Sequence, residues 1–197
     1  IQVSALGGSM NAVSGILLAL FARERTGQGQ YVDVSLYNTA LSMEATAVSS
    51  LWGCQETGAE PFGRIAHYYN IYKTKDGKYL TVGTIEPKFW QELCRLIGRD
   101  DLANRQFDFA HGEELGQALA EVFLLKTLQE WLALIDDRDF CVTPVCSLAE
   151  ALNSELTSES GMIGLRDEDI GEIKYLQPAI KLSATPGAID RRAPRLG

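Results

Sequence analysis

Residues 15–36 read GILLALFARERTGQGQYVDVSL, and the order of segments around this stretch predicts an α/β layer. Apolar residues at helical spacing predict a helix over residues 9–25, with Gly7 and Gly8 at its start and Gly27 as its left-handed stop. A β-branched and aromatic run predicts a strand over residues 31–36. Helical spacing then returns over residues 36–52. The succession of helix, loop, strand and helix is typical of an α/β layer.

The remainder of the chain predicts a linker, a second unit and a tail. Residues 53–66 are rich in glycine and polar residues without periodicity, which indicates a linker. Residues 67–148 predict a small α+β domain. It begins with two strand-like runs, residues 68–74 and 78–84, around the turn signal Asp76-Gly77. The tail from residue 161 onward is expected to be extended.

The small domain carries clear helix signals. Pro87 opens a helix with one apolar face, and Gly98 follows it. A second helix is predicted over residues 113–125. The pattern Thr127-x-x-Glu130 is a capping box that starts a third helix, and Ser147 starts another. A short strand over residues 141–145 lies between the last two helices.

Composition excludes several classes of protein. The chain has 197 residues, 46% of them hydrophobic, which argues against a disordered protein. Its 26 acidic and 18 basic residues give a net charge of −8, so a nucleic-acid partner is not expected. The longest mostly apolar stretch, residues 12–22, is shorter than the ~20 residues that a membrane span needs. Four cysteines without a CxxC pair predict reduced, buried thiols in a cytoplasmic protein.

Few residues point to chemistry by their position alone. Gly7-Gly8-Ser9 at a predicted helix start could hold an anion, although a plain glycine-rich cap is the simpler interpretation. Glu86 follows an apolar strand and precedes Pro87, so its carboxylate could face a cleft or could cap the next helix. The two histidines, His67 and His111, are too far apart in sequence to indicate a metal pair, and no metal site is expected.

Several segments taken together resemble the class III CoA-transferase family, which includes CaiB/BaiF-like transferases and α-methylacyl-CoA racemases. The segments that carry the resemblance are residues 15–36, Tyr69-Asn70-Ile71-Tyr72, Val82-Gly83-Thr84-Ile85-Glu86-Pro87, Cys141-Val142-Thr143-Pro144-Val145 and Ala193-Pro194-Arg195-Leu196-Gly197. They occur in the family's order along the whole chain.

The resemblance implies a fold and an assembly. It implies a Rossmann-like large domain built from both ends of the subunit, a small α+β domain between them, and an interlocked homodimer. Residues 1–52 would then be the end of the first large-domain portion, and residues 149–197 would return to that domain. A full subunit would continue beyond both ends of this sequence.

The resemblance also implies an activity and its residues. Acyl-CoA would be the substrate, no further cofactor would be needed, and the reaction would be CoA transfer to a carboxylic acid or racemisation of a 2-methylacyl-CoA. Gly7, Gly8 and Tyr69 would contact the substrate, and Glu86 would act with a carboxylate–histidine pair. The sequence Ile85-Glu86-Pro87 favours the racemase branch.

One departure from the family pattern concerns the start of the chain. The resemblance implies a working aspartate just before the glycines, but no aspartate occurs before Asp33, and Ser4 or Ala5 stands in that place. Neither side chain carries a carboxylate. The alternative to an enzyme is therefore a non-catalytic subunit or isolated domain that keeps the fold and the dimer surface.

Overall fold

The computed structural model describes residues 2–57, 66–135, 141–168 and 171–189. The chain is a mixed α/β protein with small sheets, and it divides into two units, residues 1–66 and residues 67–197. Each unit is described by itself.

The first unit begins with a helix longer than its sequence pattern predicts. Helix α1 spans Val3–Thr26 and ends at Gly27, whose φ of 72° places it in the left-handed region. The Gly27 N–H donates to the Arg23 carbonyl over 2.8 Å, as expected of a glycine stop. The predicted start at residue 9 is wrong, because the helix already includes Gly7 and Gly8.

Gly7 and Gly8 allow the second helix to approach α1 closely. Helix α2 spans Leu36–Met43, and both glycines are buried against it. A Cβ atom at Gly7 would collide with Met43 Cε, and one at Gly8 would collide with Leu36 Cδ2. These glycines therefore leave the space against α1 that the Met43 and Leu36 side chains occupy.

The segment between α1 and the next helices differs from the prediction. Residues 31–35 form no strand, because the described residues of this unit supply no neighbouring strand to pair with their backbone. The predicted helix over residues 36–52 is interrupted at Glu44, where α2 ends, and α3 runs over Ala45–Thr57. The first residues of the predicted linker are thus helical, while residues 58–65 lie outside the described part.

Helix α1 exposes much apolar surface. Its side chains include Met10, Leu18 and Phe21, which are 57–71% exposed. By length and composition alone α1 is sufficient to cross a membrane, so the sequence argument that the apolar stretch is too short is wrong. That test is weak evidence, since core helices of soluble proteins also satisfy it. The absence of a membrane partner stays a prediction.

The second unit is built on a three-stranded antiparallel sheet. Strands β1 (Tyr69–Lys73) and β2 (Tyr79–Gly83) form the predicted hairpin, with Tyr69 opposite Gly83 and Lys73 opposite Tyr79. Gly77 occupies the turn with a φ of 78°, which explains the glycine there. The short strand predicted over residues 141–145 is found as β3 (Val142–Pro144), and the structure pairs it with β2.

The helices that contribute buried side chains to the core of this unit are α4 (Pro87–Leu96), α5 (Gly112–Phe123) and α6 (Leu128–Ile135). The shorter helices α7 (Leu148–Leu152) and α8 (Glu155–Ser160) follow β3 and contain no buried residue. Both predicted capping boxes are confirmed: the Thr127 N–H donates to Glu130 Oε2 over 2.7 Å, and Ser147 and Glu150 cap each other in the same way. The core contains Leu80, Trp90, Leu93, Leu115, Leu119, Phe123 and Trp131, each at most 2% exposed.

The tail is more regular than the sequence indicates. Strands β4 (Ile163–Glu168) and β5 (Gly171–Leu176) are extended as expected, and they pair as an antiparallel hairpin that the sequence analysis did not predict. The glycines in this part of the chain interrupt the alternation of apolar and polar residues by which a strand is predicted. Gly164, for example, leaves room for the Tyr175 ring on the opposite strand.

The cysteines differ from the expected buried set. Cys94 is buried, whereas Cys141 and Cys146 are exposed and Cys54 is half-buried, and all four are free thiols. Cys94 is on the apolar face of α4, while Cys141 and Cys146 flank the short strand β3. The sequence analysis predicted one buried environment for all four cysteines, but they lie in different elements and differ in exposure.

Candidate functional site at the open end of the small sheet

The hairpin brings Tyr69 and Glu86 to one end of the sheet. Tyr69 is the first residue of β1 and lies opposite Gly83, the last residue of β2. Glu86 follows Gly83 closely and stands at the N-cap position of α4. The hairpin turn is at the opposite end. We call the region of Tyr69, Gly83, Glu86 and Cys141 the open end of the sheet.

The Glu86 carboxylate is not used to cap its helix. The Glu86 carbonyl accepts hydrogen bonds from the N–H groups of Phe89 and Trp90 over 3.0 and 3.2 Å. The side chain is exposed and makes no capping hydrogen bond. The interpretation of this carboxylate as a helix cap is therefore wrong. A substrate could reach it without first breaking a helix cap.

The Tyr69 side chain lies beside Gly83, which has no side chain of its own. The Tyr69 side chain is 58% exposed. A Cβ atom at Gly83 would lie 3.9 Å from Tyr69 Cε2 and 3.4 Å from the Cys141 carbonyl oxygen. A side chain at residue 83 would therefore contact both outer strands at ordinary van der Waals distances.

Cys141 is a residue of this region that sequence reasoning missed. Its carbonyl accepts the Gly83 N–H over 2.9 Å, and its φ of 59° is in the left-handed region that a β-substituted residue seldom adopts. The sequence gives no signal for this conformation. The sequence predicted Cys141 only as the first residue of a strand and as one of four buried thiols.

A buried glutamine supports the backbone that leads to Glu86. Gln106 is 4% exposed, and its side-chain amide donates to the carbonyl oxygens of Thr84 and Ile85 over 2.9 and 2.7 Å. Thr84 is fully buried, and both its N–H and its hydroxyl donate to the Tyr68 carbonyl. Sequence reasoning missed Gln106 because nothing near it in the chain indicates this pairing.

His67 lies behind the same region in an apolar environment. It is 2% exposed, and its Nε2 atom has no hydrogen-bond partner. Its ring meets Tyr68 and Trp90 edge to face, with centroids 5.3 Å apart in both pairs. Burial lowers the pKa of His67, an effect that Asp108 partly opposes. Burial of the ring therefore disfavours its protonated form.

A shallow cleft of about 550 Å³ adjoins Pro87. Its lining residues are Pro87, Gln91 and residues 103–108. Its charges are neutralised by pairing: Arg105 Nη2 lies 2.9 Å from Asp108 Oδ2, and His111 Nδ1 lies 2.8 Å from Asp108 Oδ1. These two partners lower the pKa of Asp108, with the His111 hydrogen bond as the larger cause. The cleft therefore offers polar amides beside an internally compensated charge cluster.

The first unit holds the other residues named from the sequence. Gly7 and Gly8 are inside α1, so the predicted anion site lacks the helix N-terminus on which it depends. Ser4 is half-buried in the first turn of α1 and lines a depression of about 600 Å³ beside Tyr37 and Leu41. Ala5 is exposed.

The described residues bring no metal-binding group together. Within residues 2–57, 66–135, 141–168 and 171–189, no three His, Cys, Asp or Glu side chains converge in a way that could hold a metal ion. The chemistry available at the open end of the sheet comes from the Glu86 carboxylate, the Tyr69 phenol and the Cys141 thiol. These groups can move protons and form hydrogen bonds.

Comparison with known proteins places these elements in a family. The model of CoA-transferase family III matches residues 1–197. The chain is 35% identical to the α-methylacyl-CoA racemase of Mus musculus over 97% of this chain and 51% of the relative. It is 30% identical to the succinyl-CoA–D-citramalate CoA-transferase of Chloroflexus aurantiacus over 94% of this chain and 48% of the relative.

A solved structure shares the fold. The crystal structure of a mutant of Rv3272 from Mycobacterium tuberculosis matches with a TM-score of 0.76 and 22% identity, over 96% of this chain and 51% of that chain. The chain spans about half the length of the curated relatives it matches.

Proposed function

Because the chain belongs to CoA-transferase family III, we propose that it acts on an acyl-CoA thioester. The reaction is either CoA transfer to a carboxylic acid or racemisation of a 2-methylacyl-CoA. The observation that carries the proposal is the family match along residues 1–197, in which the relatives include proteins named for each reaction. The thioester is the substrate, and we propose no further cofactor.

The open end of the sheet supplies the residues for this proposal. In racemisation the thioester acidifies the proton on carbon 2, and two bases on opposite faces remove and return it. Glu86 orients or tunes this carboxylate–histidine pair, and Tyr69 lines the acyl pocket. Their common position at the strand ends supports these roles. The sequence Ile85-Glu86-Pro87 favours racemisation over CoA transfer.

A non-catalytic subunit is the second candidate, and two observations favour it. Residues 1–32 contain no aspartate, and Ser4 or Ala5 stands in the place where the family resemblance implies one. The exposed apolar side chains of α1 also indicate a surface made to be covered. This candidate keeps the fold and the homodimer surface without turnover. In both candidates we propose a homodimer in the cytoplasm.

One experiment separates the two candidates. The chain is incubated with a 2-methylacyl-CoA in deuterium oxide, and separately with an acyl-CoA and a carboxylate acceptor. We expect deuterium at carbon 2 or CoA on the acceptor. Absence of both products from the wild-type chain would contradict the enzyme and support the non-catalytic subunit.

The role of Glu86 is tested by removing its charge. We expect Glu86→Gln to reduce turnover about 10²-fold or more, in the range typical of general acid–base groups. Glu92→Gln is the matched control, because Glu92 is an exposed carboxylate on the same helix. Equal turnover in the two variants would remove Glu86 from the mechanism.

A further inference from the structure

The Gln106 side chain fastens two consecutive peptide groups. Its amide nitrogen donates to the Thr84 carbonyl over 2.9 Å and to the Ile85 carbonyl over 2.7 Å. A carboxamide nitrogen has two N–H donors, so these two bonds use its whole donor capacity. Thr84 and Ile85 are the two residues immediately before Glu86. The amide thus holds the backbone from which the Glu86 side chain projects.

This backbone lies between two regular elements. Strand β2 ends at Gly83, and α4 begins at Pro87, which has no N–H group to donate. The Ile85 N–H turns back to the Gly83 carbonyl over 2.9 Å. Residues 84 and 85 therefore belong to neither the sheet ladder nor the helix, and Gln106 supplies donors to their carbonyl groups.

The loop that carries Gln106 is itself anchored to the core. The indole N–H of the fully buried Trp90 donates to the Leu102 carbonyl over 3.0 Å. The Arg105 N–H donates to the same carbonyl over 2.8 Å, and the Arg105 guanidinium pairs with Asp108. The Gln106 side chain therefore connects this anchored loop to the backbone that precedes Glu86.

We propose that Gln106 is a positioning residue for Glu86, an inference that rests on the function proposed above. Gln106 acts through the Thr84 and Ile85 carbonyl groups and does not itself contact the substrate, since it is buried and its N–H donors are both engaged. Its loss allows the residue 84–86 backbone to shift, which displaces the Glu86 carboxylate from the carboxylate–histidine pair that it orients or tunes.

Removal of the amide tests this in the full chain. We expect Gln106→Met, which keeps the length of the side chain, to lower kcat about 10- to 100-fold with KM changed less than about twofold, because small displacements of catalytic groups act mainly on the reacting geometry. Gln91→Met is the matched control. Gln91 lines the same cleft, and we expect its substitution to change kcat less than about twofold. Wild-type kcat in Gln106→Met would overturn the proposal.

A second variant makes the donor capacity depend on pH. In Gln106→Glu, the introduced carboxyl can donate a hydrogen bond only when protonated, and as a carboxylate it places acceptors against two carbonyl oxygens. We expect the turnover of this variant, relative to wild type, to rise as the pH falls. A merely structural role in filling volume would give a pH-independent ratio, and that result would overturn the proposal.

A measurement without turnover separates this proposal from the proposed function. Amide hydrogen exchange is compared between the wild-type chain and Gln106→Met at Thr84 and Ile85, whose N–H groups donate to the Tyr68 and Gly83 carbonyl groups. We expect exchange at least about tenfold faster in the variant. If the wild-type chain turns over no acyl-CoA, the proposed function fails, and the exchange rates still decide the positioning role. Unchanged protection at both amides would overturn it.

Discussion

Protonation of His67 is expected to weaken the fold of the second unit at mildly acidic pH. His67 is 2% exposed, its Nε2 atom has no hydrogen-bond partner, and burial lowers its pKa below the usual 6.5. The unfolded chain therefore binds a proton at pH values where the folded chain does not. The contribution of neutral His67 to the free energy of unfolding is fully present above about pH 6.5. It is lost progressively as the pH falls from there to the lowered pKa of the folded chain.

The size of the effect follows from the proton balance. A difference of one bound proton changes the free energy of unfolding by about 1.4 kcal/mol per pH unit. This is a large share of the ~5–15 kcal/mol by which domains are stable. Among the charges that act on His67, Asp108 raises its pKa and Arg105 lowers it, but burial is the largest cause and sets the direction.

Other groups act in a different pH window. The carboxylates Asp76, Asp108, Glu130 and Glu150 have pKa values lowered from 3.8 or 4.5. Their contribution is present above these ordinary values and is lost as the pH falls through the lowered ones. The interval between about pH 5 and pH 6.5 therefore reports on His67.

Urea denaturation at several pH values from about 5 to about 7.5 measures the effect. Trp90 and Trp131 are buried in the second unit, so their fluorescence follows its unfolding. We expect the pH slope to vanish in His67→Phe, which keeps an aromatic ring and removes the titrating nitrogens. It should persist in His111→Gln, whose parent side chain is 56% exposed. The reasoning is refuted if His67→Phe retains the wild-type slope.

Two further predictions concern the core and the thiols. Leu80→Ala should lower the free energy of unfolding of the second unit by about 2–5 kcal/mol because Leu80 is fully buried, whereas Leu148→Ala, at a side chain 77% exposed, should change it by less than about 0.5 kcal/mol in the same urea assay. At about pH 8 a thiol reagent should modify the exposed Cys141 and Cys146 quickly. Burial raises the pKa of Cys94 to about 12, so Cys94 should react only after denaturation. Peptide mass spectrometry measures the labelling, and rapid labelling of Cys94 in the folded chain would contradict this.

The sequence predicted the second unit well where the signals are local. The Asp76-Gly77 turn, the Thr127–Glu130 and Ser147–Glu150 capping boxes and the Gly98 position after α4 are all found in the structure. Each depends on hydrogen bonds or backbone angles within a few residues. Such preferences act in any tertiary context, and a sequence pattern therefore predicts them.

The first unit shows where local patterns are insufficient. Gly7 and Gly8 have the composition of a helix start, but they lie inside α1, where side chains of α2 occupy the space beside them. Residues 31–35 have strand propensity, but a strand forms only when another strand pairs with it, and the described residues of this unit provide none. In both cases the deciding contact lies with a part of the chain outside the local window.

The amino-acid sequence by itself determined the family, the hairpin and the position of Glu86 after a strand and before Pro87, because these follow from ordered motifs and short-range turn chemistry. The structure added that Tyr69 lies opposite Gly83 at the same end of the sheet. Only the tertiary structure decided that the Glu86 carboxylate does not cap its helix, that Cys141 adopts a left-handed backbone, and that Gln106 holds the carbonyl groups of residues 84 and 85. The Gln106 hydrogen bonds join residues 21 and 22 positions apart, and the hydrogen bond from the Gly83 N–H to the Cys141 carbonyl joins two strands. Such partners are brought together by the packing of the whole unit, so they leave no periodic pattern in the sequence.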